Sequence, residues 1–124
     1  MSSTIEKSKR LLIVDDSEAI RRFLADMFVD RGFSVKTASD GIEAQRILDK
    51  KSYDVVLIDL NMPVVSGIEL YQRIEKRNPH IASKIIFMSV DVPDSRIQSF
   101  FTKINRPFLL KPFTMDEFLS AVSN

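Results

Sequence analysis

No cysteine occurs in this chain, which excludes a disulfide framework and any thiolate chemistry and suits a reducing compartment. No uninterrupted apolar run approaches the roughly 20 residues needed to span a bilayer. The N-terminus carries no signal-like apolar region, so the expectation is a cytoplasmic protein that does not enter a membrane. Neither sign of charge is in excess: 18 Lys and Arg face 17 Asp and Glu, a formal charge of +1. That balance argues against a broad nucleic-acid-binding face, and no direct nucleic-acid contact is expected. The single histidine, His80, lies beside Pro79 as a solvated loop residue, and with no thiol available it leaves little for zinc. No internal repeat, low-complexity tract or linker divides the sequence. What remains is a chain of 124 residues, 44% hydrophobic and 28% charged. It is long enough for one real core and too short for two ordinary domains.

Residues 1–8 are polar and aperiodic and read as a flexible tail. From there, short apolar runs alternate with segments of helical period. Leu11 to Val14 reads as a buried strand ending on Asp15 and Asp16. Ile20, Phe23, Leu24, Met27 and Phe28 then recur at the spacing of one helix face, with Asp16 or Ser17 as cap and Gly32 as terminator. Phe33, Val35 and Thr37 alternate as a second strand, and Ser39-Asp40-Gly41 opens a helix with Ala44, Ile47 and Leu48 inward. Asp54-Val55-Val56-Leu57-Ile58-Asp59 is a third, central strand, followed by a loop from Asn61 to Gly67. Ile68, Tyr71 and Ile74 mark a third helix that must stop before Pro79. A fourth strand over 84–88 stops at Ser89, and Pro93-Asp94-Ser95 opens a helix carrying Ile97, Phe100, Phe101 and Ile104. The adjacent Phe100 and Phe101 cannot share one helical direction, so one belongs to the core. Phe108 to Leu110 is a short fifth strand running into Lys111-Pro112. Thr114 to Glu117 is a capping box for a last helix with Met115, Phe118, Leu119 and Val122 on one face. Strand and helix thus alternate five times. The pattern predicts an α/β fold with a five-stranded parallel sheet, right-handed crossovers and helices on both faces.

Four polar points fall immediately after strands one, three, four and five: Asp15-Asp16, Asp59, Ser89 and Lys111. In an open α/β sheet these strand ends converge on one crevice. Three gathered carboxylates disfavour one another's ionised forms, and a hard divalent cation with oxygen ligands relieves this. Mg²⁺ suits such a site, with Mn²⁺ as a substitute. Removing Asp15 or Asp16 should therefore leave the metal-free domain as stable or more stable. An ionised Asp59 is a possible nucleophile toward phosphorus, with Lys111 neutralising the equatorial oxygens and Ser89 donating a hydrogen bond to one of them.

Taken together, Val14-Asp15-Asp16-Ser17, Asp59-Leu60-Asn61-Met62-Pro63 with Gly67, Met88-Ser89 and Lys111-Pro112-Phe113 resemble the receiver domains of two-component response regulators over residues 9–124. The resemblance implies a flavodoxin-like (βα)5 fold with strand order 2-1-3-4-5. It implies that Asp59 takes a phosphoryl group from the phosphohistidine of a sensor histidine kinase or a phosphotransfer protein. Asp16 would ligate Mg²⁺ directly and Asp15 largely through water, with Asp59 and the backbone carbonyl of Asn61 completing the protein ligands. Lys111 would contact the phosphoryl group. Ser89 and Phe108 would form the switch that reshapes the surface of the fourth helix, fifth strand and fifth helix, through which an output protein binds. The Lys111–Pro112 bond is expected to be cis. Asn61, Val90 and Asp91 stand where access and hydrolysis are modulated: Val90 narrows access to Asp59 where a small residue is usual, while Asp91 can orient a hydrolytic water. The stretch Arg106 to Phe113 is similar to receivers attached to hybrid histidine kinases. The domain would catalyse only its own phosphotransfer and autodephosphorylation, as a monomer or weak dimer, with output supplied by another polypeptide or an attached segment.

Two other readings compete. One is a phosphorylation-independent pseudo-receiver adaptor. The other is a different α/β protein, either a flavodoxin-like electron carrier or an aspartate-nucleophile phosphatase. A flavin carrier wants a phosphate-cradling loop after strand one, where this chain has two carboxylates. The phosphatases typically place a second Asp two residues after the nucleophile, where this chain has Asn61 after Asp59 and Ser17 after Asp15.

Overall fold

The computed structural model describes residues 9–123, so the tail expected over 1–8 lies outside the described residues. The elements in order are β1 (Arg10–Val14), α1 (Glu18–Asp30), β2 (Ser34–Ala38), α2 (Gly41–Lys50), β3 (Val55–Asp59), α3 (Gly67–Arg77), α4 (Pro79–Ala82), β4 (Ile85–Ser89), α5 (Ser95–Ile104), β5 (Phe108–Leu110) and α6 (Met115–Ser123). The five strands form one parallel sheet in the order β2-β1-β3-β4-β5. β3 is central and buried along its whole length, and so is β4. Their continuous apolar runs are what a strand covered on both faces requires.

Alternate residues of each strand feed two separate cores. Leu12, Val14, Val56, Ile58 and Phe87 pack with Ala44, Leu70, Tyr71, Ile74 and Phe101 under α2, α3 and α5. Leu11, Ile13, Val55, Leu57 and Met88 pack with Leu24, Phe28, Phe118 and Ala121 under α1 and α6. Phe28 and Phe118 touch at 4.5 Å between ring centroids, so the two helices on that face meet through aromatic contact. The helix starts are fixed locally. Ser17, Asp40, Ser66 and Asp94 each accept a backbone N–H two or three residues into the first turn. Thr114 and Glu117 complete the capping box in both directions, at 2.8 and 3.1 Å.

Three details differ from the sequence reading. A single helical turn, α4, follows α3, and the exposed His80 sits on it rather than in a loop. Pro79 at its first turn and the Asn78 cap suffice to form it, but four residues carry no periodic signal. Phe23, placed on the apolar face of α1, is 61% exposed. Leu24 and Phe28 centre the buried stripe, and Phe23 lies about 100° away from Leu24 around the helix. There it lines a cleft with Val90, Pro112 and Phe113. On α6, Leu119 faces outward beside the buried Phe118 and Ala121.

The adjacent phenylalanines of α5 have separate roles. Phe101 is buried and stacks on Phe87 at 4.9 Å and on Phe108 at 5.5 Å. Phe100 is half-buried, edge-on to Tyr71 at 6.0 Å. Phe101→Ala is expected to cost about 3 kcal/mol or more in urea unfolding, the range for deleting a buried ring. Phe100→Ala should cost measurably less; equal losses would contradict this division.

Candidate functional site

The sheet's hydrogen-bond ladder continues past the strand ends and ties the site together. Asp15 N–H donates to the Ala38 carbonyl (3.2 Å), Leu60 N–H to Met88 (2.9 Å), and Lys111 N–H to Ser89 (2.7 Å). The Asp15, Asp59, Ser89 and Lys111 of the sequence reading are therefore held at one edge by main-chain bonds. Behind Asp59 the chain is packed tightly. A Cβ at Gly67 would lie 2.5 Å from the Asp59 carbonyl oxygen and 2.9 Å from the Leu60 Cα, so only glycine lets α3 start this close.

Asp15 and Asp59 are almost fully buried, at 1% and 4% exposure, whereas Asp16 is exposed. One carboxylate oxygen from each of the three lies within 4.8 Å of the others. The Lys111 ammonium donates to Asp15 Oδ2 at 2.8 Å and pairs with Asp59 Oδ1 at 3.2 Å. One ammonium against three carboxylates leaves a formal excess of two negative charges. This donor set fits a hard divalent cation in charge, in oxygen chemistry and in spacing. His80 is not part of it.

Burial pushes the Asp59 carboxyl above the usual carboxylate range, and the neighbouring Asp15 charge adds to the rise. Lys111 and the Asn61 backbone N–H offset it only in part. Burial alone would lower the Lys111 ammonium, but its hydrogen bond to Asp15 and the charges of Asp59 and Asp15 outweigh that and raise it. Lys111 thus stays charged while Asp59 is ionised at a cost.

The buried Ser89 hydroxyl accepts from Asn61 Nδ2 and from the Asp91 N–H, each at 3.2 Å. Val90, 62% exposed, lines the apolar cleft shared by Phe23, Lys111 and Pro112. Phe108 opens β5, partly buried against Phe101. The Lys111–Pro112 bond is cis. Sequence reasoning missed two contacts. Arg21 Nη1 donates to the Asp15 carbonyl at 2.7 Å, bracing the loop that carries Asp16. The Asn61 side chain, considered only as a modulator of access and hydrolysis, holds Ser89. Arg21 lies on the first turn of α1, where a long side chain can fold back over the strand end; that position is its only signal.

The family model of the response regulator receiver domain matches residues 11–123. A 66-residue stretch, 53% of the chain, is 46% identical to the sensor histidine kinase RcsC of Salmonella typhimurium and spans 7% of that protein. The transcriptional regulatory protein GlrR of Escherichia coli is 31% identical over 121 residues, 95% of this chain and 26% of that one. The chain therefore spans a small part of these relatives. Among solved structures, the chemotaxis protein CheY4 of Vibrio cholerae is similar with a TM-score of 0.81 at 26% identity, over 94% of this chain and 97% of that one. The response regulator TrrA of Thermotoga maritima, in complex with Mg²⁺-BeF, gives 0.78 at 31% identity over 93% and 96%.

Two stability predictions follow from the burial of the acids, both for protein kept in chelator. Asp59→Asn should stabilise the domain at neutral pH by about 1 kcal/mol, a typical mutational effect. Because the native pKa of Asp59 is raised, the cost of its charge appears as pH rises from the unfolded value through the native one. The advantage of the amide should therefore shrink as pH falls back through that window; an advantage independent of pH would contradict the account. The structure also separates the two neighbouring acids. Asp16→Ala should leave stability unchanged or raised. Asp15→Ala should lower it by about 1 kcal/mol or more, because Asp15 accepts from Ser17 N–H at 2.9 Å and from Lys111, and its loss leaves the buried ammonium with Asp59 alone. Thermal melts of the two variants distinguish these outcomes.

Proposed function

The chain belongs to the response regulator receiver domain family of two-component signalling, and from that premise we propose that it is a phospho-accepting switch with Asp59 as the acceptor. The observation that carries this reading is the buried Asp59 carboxylate, paired with Lys111 and within 4.8 Å of the carboxylates of Asp15 and Asp16.

In this reading an Asp59 oxygen attacks the phosphorus of a phosphohistidine on a sensor kinase or phosphotransfer protein. The new O–P bond forms as the P–N bond breaks, and the imidazole leaves with the electron pair and takes up a proton. Lys111, held between Asp15 and Asp59, neutralises charge on the transferred phosphoryl oxygens. Asp15, Asp16, Asp59 and the Asn61 carbonyl would hold Mg²⁺ (or Mn²⁺). Bound there, the cation offsets the carboxylate repulsion and the charge gathering on the phosphoryl group. Ser89 donates to a phosphoryl oxygen once the group is in place. Phe108, stacked on Phe101 of α5, carries that change to the surface of α5, β5 and α6, where the output protein docks. The Asp91 carboxylate and the Val90 side chain act in opposite senses on water access, so together they set the lifetime of the acyl phosphate. Membership of the receiver family supports a histidine kinase as the phosphodonor, and RcsC carries a similar stretch within a kinase polypeptide. The unit acts as a monomer or weak dimer in the cytoplasm, over residues 9–124.

The test is intact-mass spectrometry after incubation with Mg²⁺ and acetyl phosphate. A single phosphoryl adduct is expected on the wild type and none on Asp59→Asn or in excess chelator. No adduct on wild type or on Val90→Ala would overturn the reading.

A further inference from the structure

Ser89 Oγ has two lone pairs, and both are occupied: by the Asp91 backbone N–H and by the Asn61 carboxamide, each at 3.2 Å. The two donors are not equivalent. The Asp91 bond is local, two residues along the chain, and belongs to the turn that ends β4. The Asn61 bond spans 28 residues and joins the loop after β3 to the end of β4. Those segments are the two banks of a cleft of about 320 Å³, lined by Leu60, Asn61, Ser89, Asp91 and Ile97 among others. Asn61 is itself exposed, while Ser89 is only 2% exposed. An exposed side chain therefore reaches across the cleft to hold a buried hydroxyl.

We propose that the Asn61 carboxamide is a positioning residue that holds Ser89 in its unphosphorylated rotamer and so sets how much of the protein occupies the switched conformation before any phosphoryl group arrives. The inference rests on the reading of Ser89 as the switch hydroxyl. Its energetics are those of a releasable latch. A neutral amide-to-hydroxyl bond contributes only modestly in net terms, because its donor regains water when the bond opens. Asn61 is exposed, so its carboxamide donor is resolvated when Ser89 turns away. A phosphoryl oxygen is a charged acceptor, and a bond from the Ser89 hydroxyl to it is roughly twice as strong as a neutral one. The phosphoryl group therefore wins the hydroxyl when present, and the amide keeps it when absent. Asn61 lies two residues after Asp59, so the latch is part of the loop that phosphorylation reshapes.

The experiment compares amide NMR spectra of unphosphorylated wild type, Asn61→Leu, Asn61→Ala, Ser89→Ala and the Asn61→Leu/Ser89→Ala double variant. Wild type with Mg²⁺ and acetyl phosphate marks the switched end-point at Phe108 and Leu109, and intact mass confirms the adduct. Both Asn61 variants should move these resonances toward the end-point, with the ratio of switched to unswitched protein rising about two- to tenfold, the effect of one net hydrogen bond. In the Ser89→Ala background, Asn61→Leu should move nothing further. If the Asn61 variants stay at the wild-type position, or the shift persists without the Ser89 hydroxyl, the latch is overturned while the phosphoacceptor reading stands. A wild type that takes no adduct overturns the phosphoacceptor reading and the latch with it.

Discussion

Lys111 carries one positive charge into a place where two carboxylates are already buried, and most features of the sheet edge depend on it. Its side chain is 11% exposed, and the ammonium contacts Asp15 at 2.8 Å and Asp59 at 3.2 Å. Buried ion pairs rarely yield much net stability, because desolvation consumes most of the Coulomb gain. Removing Lys111 itself would be costly, because two buried carboxylates would be left without their shared cation. The arrangement is thus better understood as poised than as stabilising. The ends of β1 and β3 are tied to the segment after β5 by charge, at a point where one more cation or anion shifts the balance.

Holding three strand ends at that distance constrains everything around them. The ladder bonds that extend past β1, β3 and β5 fix the main chain. Gly67 lets the start of α3 press against the Asp59 carbonyl. Arg21 and the Ser17 N–H fasten the Asp15 segment from the side of α1. The two cores pack the sheet from opposite faces, so the acids cannot relax by moving into either layer. Repulsion between them is relieved through added charge rather than displacement.

How far this was legible in the sequence depended on the range of the interactions. The sheet, its order of elements and the positions of Asp15, Asp59, Ser89 and Lys111 were readable, because strand ends are set by local apolar runs and parallel topology brings them to one edge. Ser17, Asp40 and Thr114 announced their helices because caps act within one turn. Phe23 and Leu119 misled because a periodic apolar residue at the margin of a stripe looks the same in sequence whether or not something covers it. α4 was too short to have a period. The reach of Asn61 across 28 residues to Ser89, and of Arg21 back to a carbonyl, depends on side-chain direction in three dimensions, which spacing does not encode. The differing weights of Asp15 and Asp16 follow from the same limit. Adjacent acids look equivalent until one is seen to point inward.

In the proposed switch, a change at Asp59 reaches the Ser89 hydroxyl first, and from Phe108 onward the physical route is aromatic. Phe108 stacks on Phe101 with their planes 16° apart, Phe101 stacks on Phe87 at 29°, and Phe87 meets Tyr71 of α3 at 5.8 Å. The stack runs from β5 through α5 and β4 to α3, across the core that lies under α2, α3 and α5. Close-packed rings pass on displacement because an interior at crystal-like density has few voids to absorb it. If Phe108 turns, Phe101 loses a face of contact and α5 must repack, whereas the core beneath α1 and α6 shares none of these rings. The response is therefore directional. The helix that would change is the one whose N-terminus, capped by Asp94, borders the cleft containing Asn61 and Ser89. The proposed latch and the aromatic stack would thus act on the same helix, one at its N-terminus and the other through Phe101.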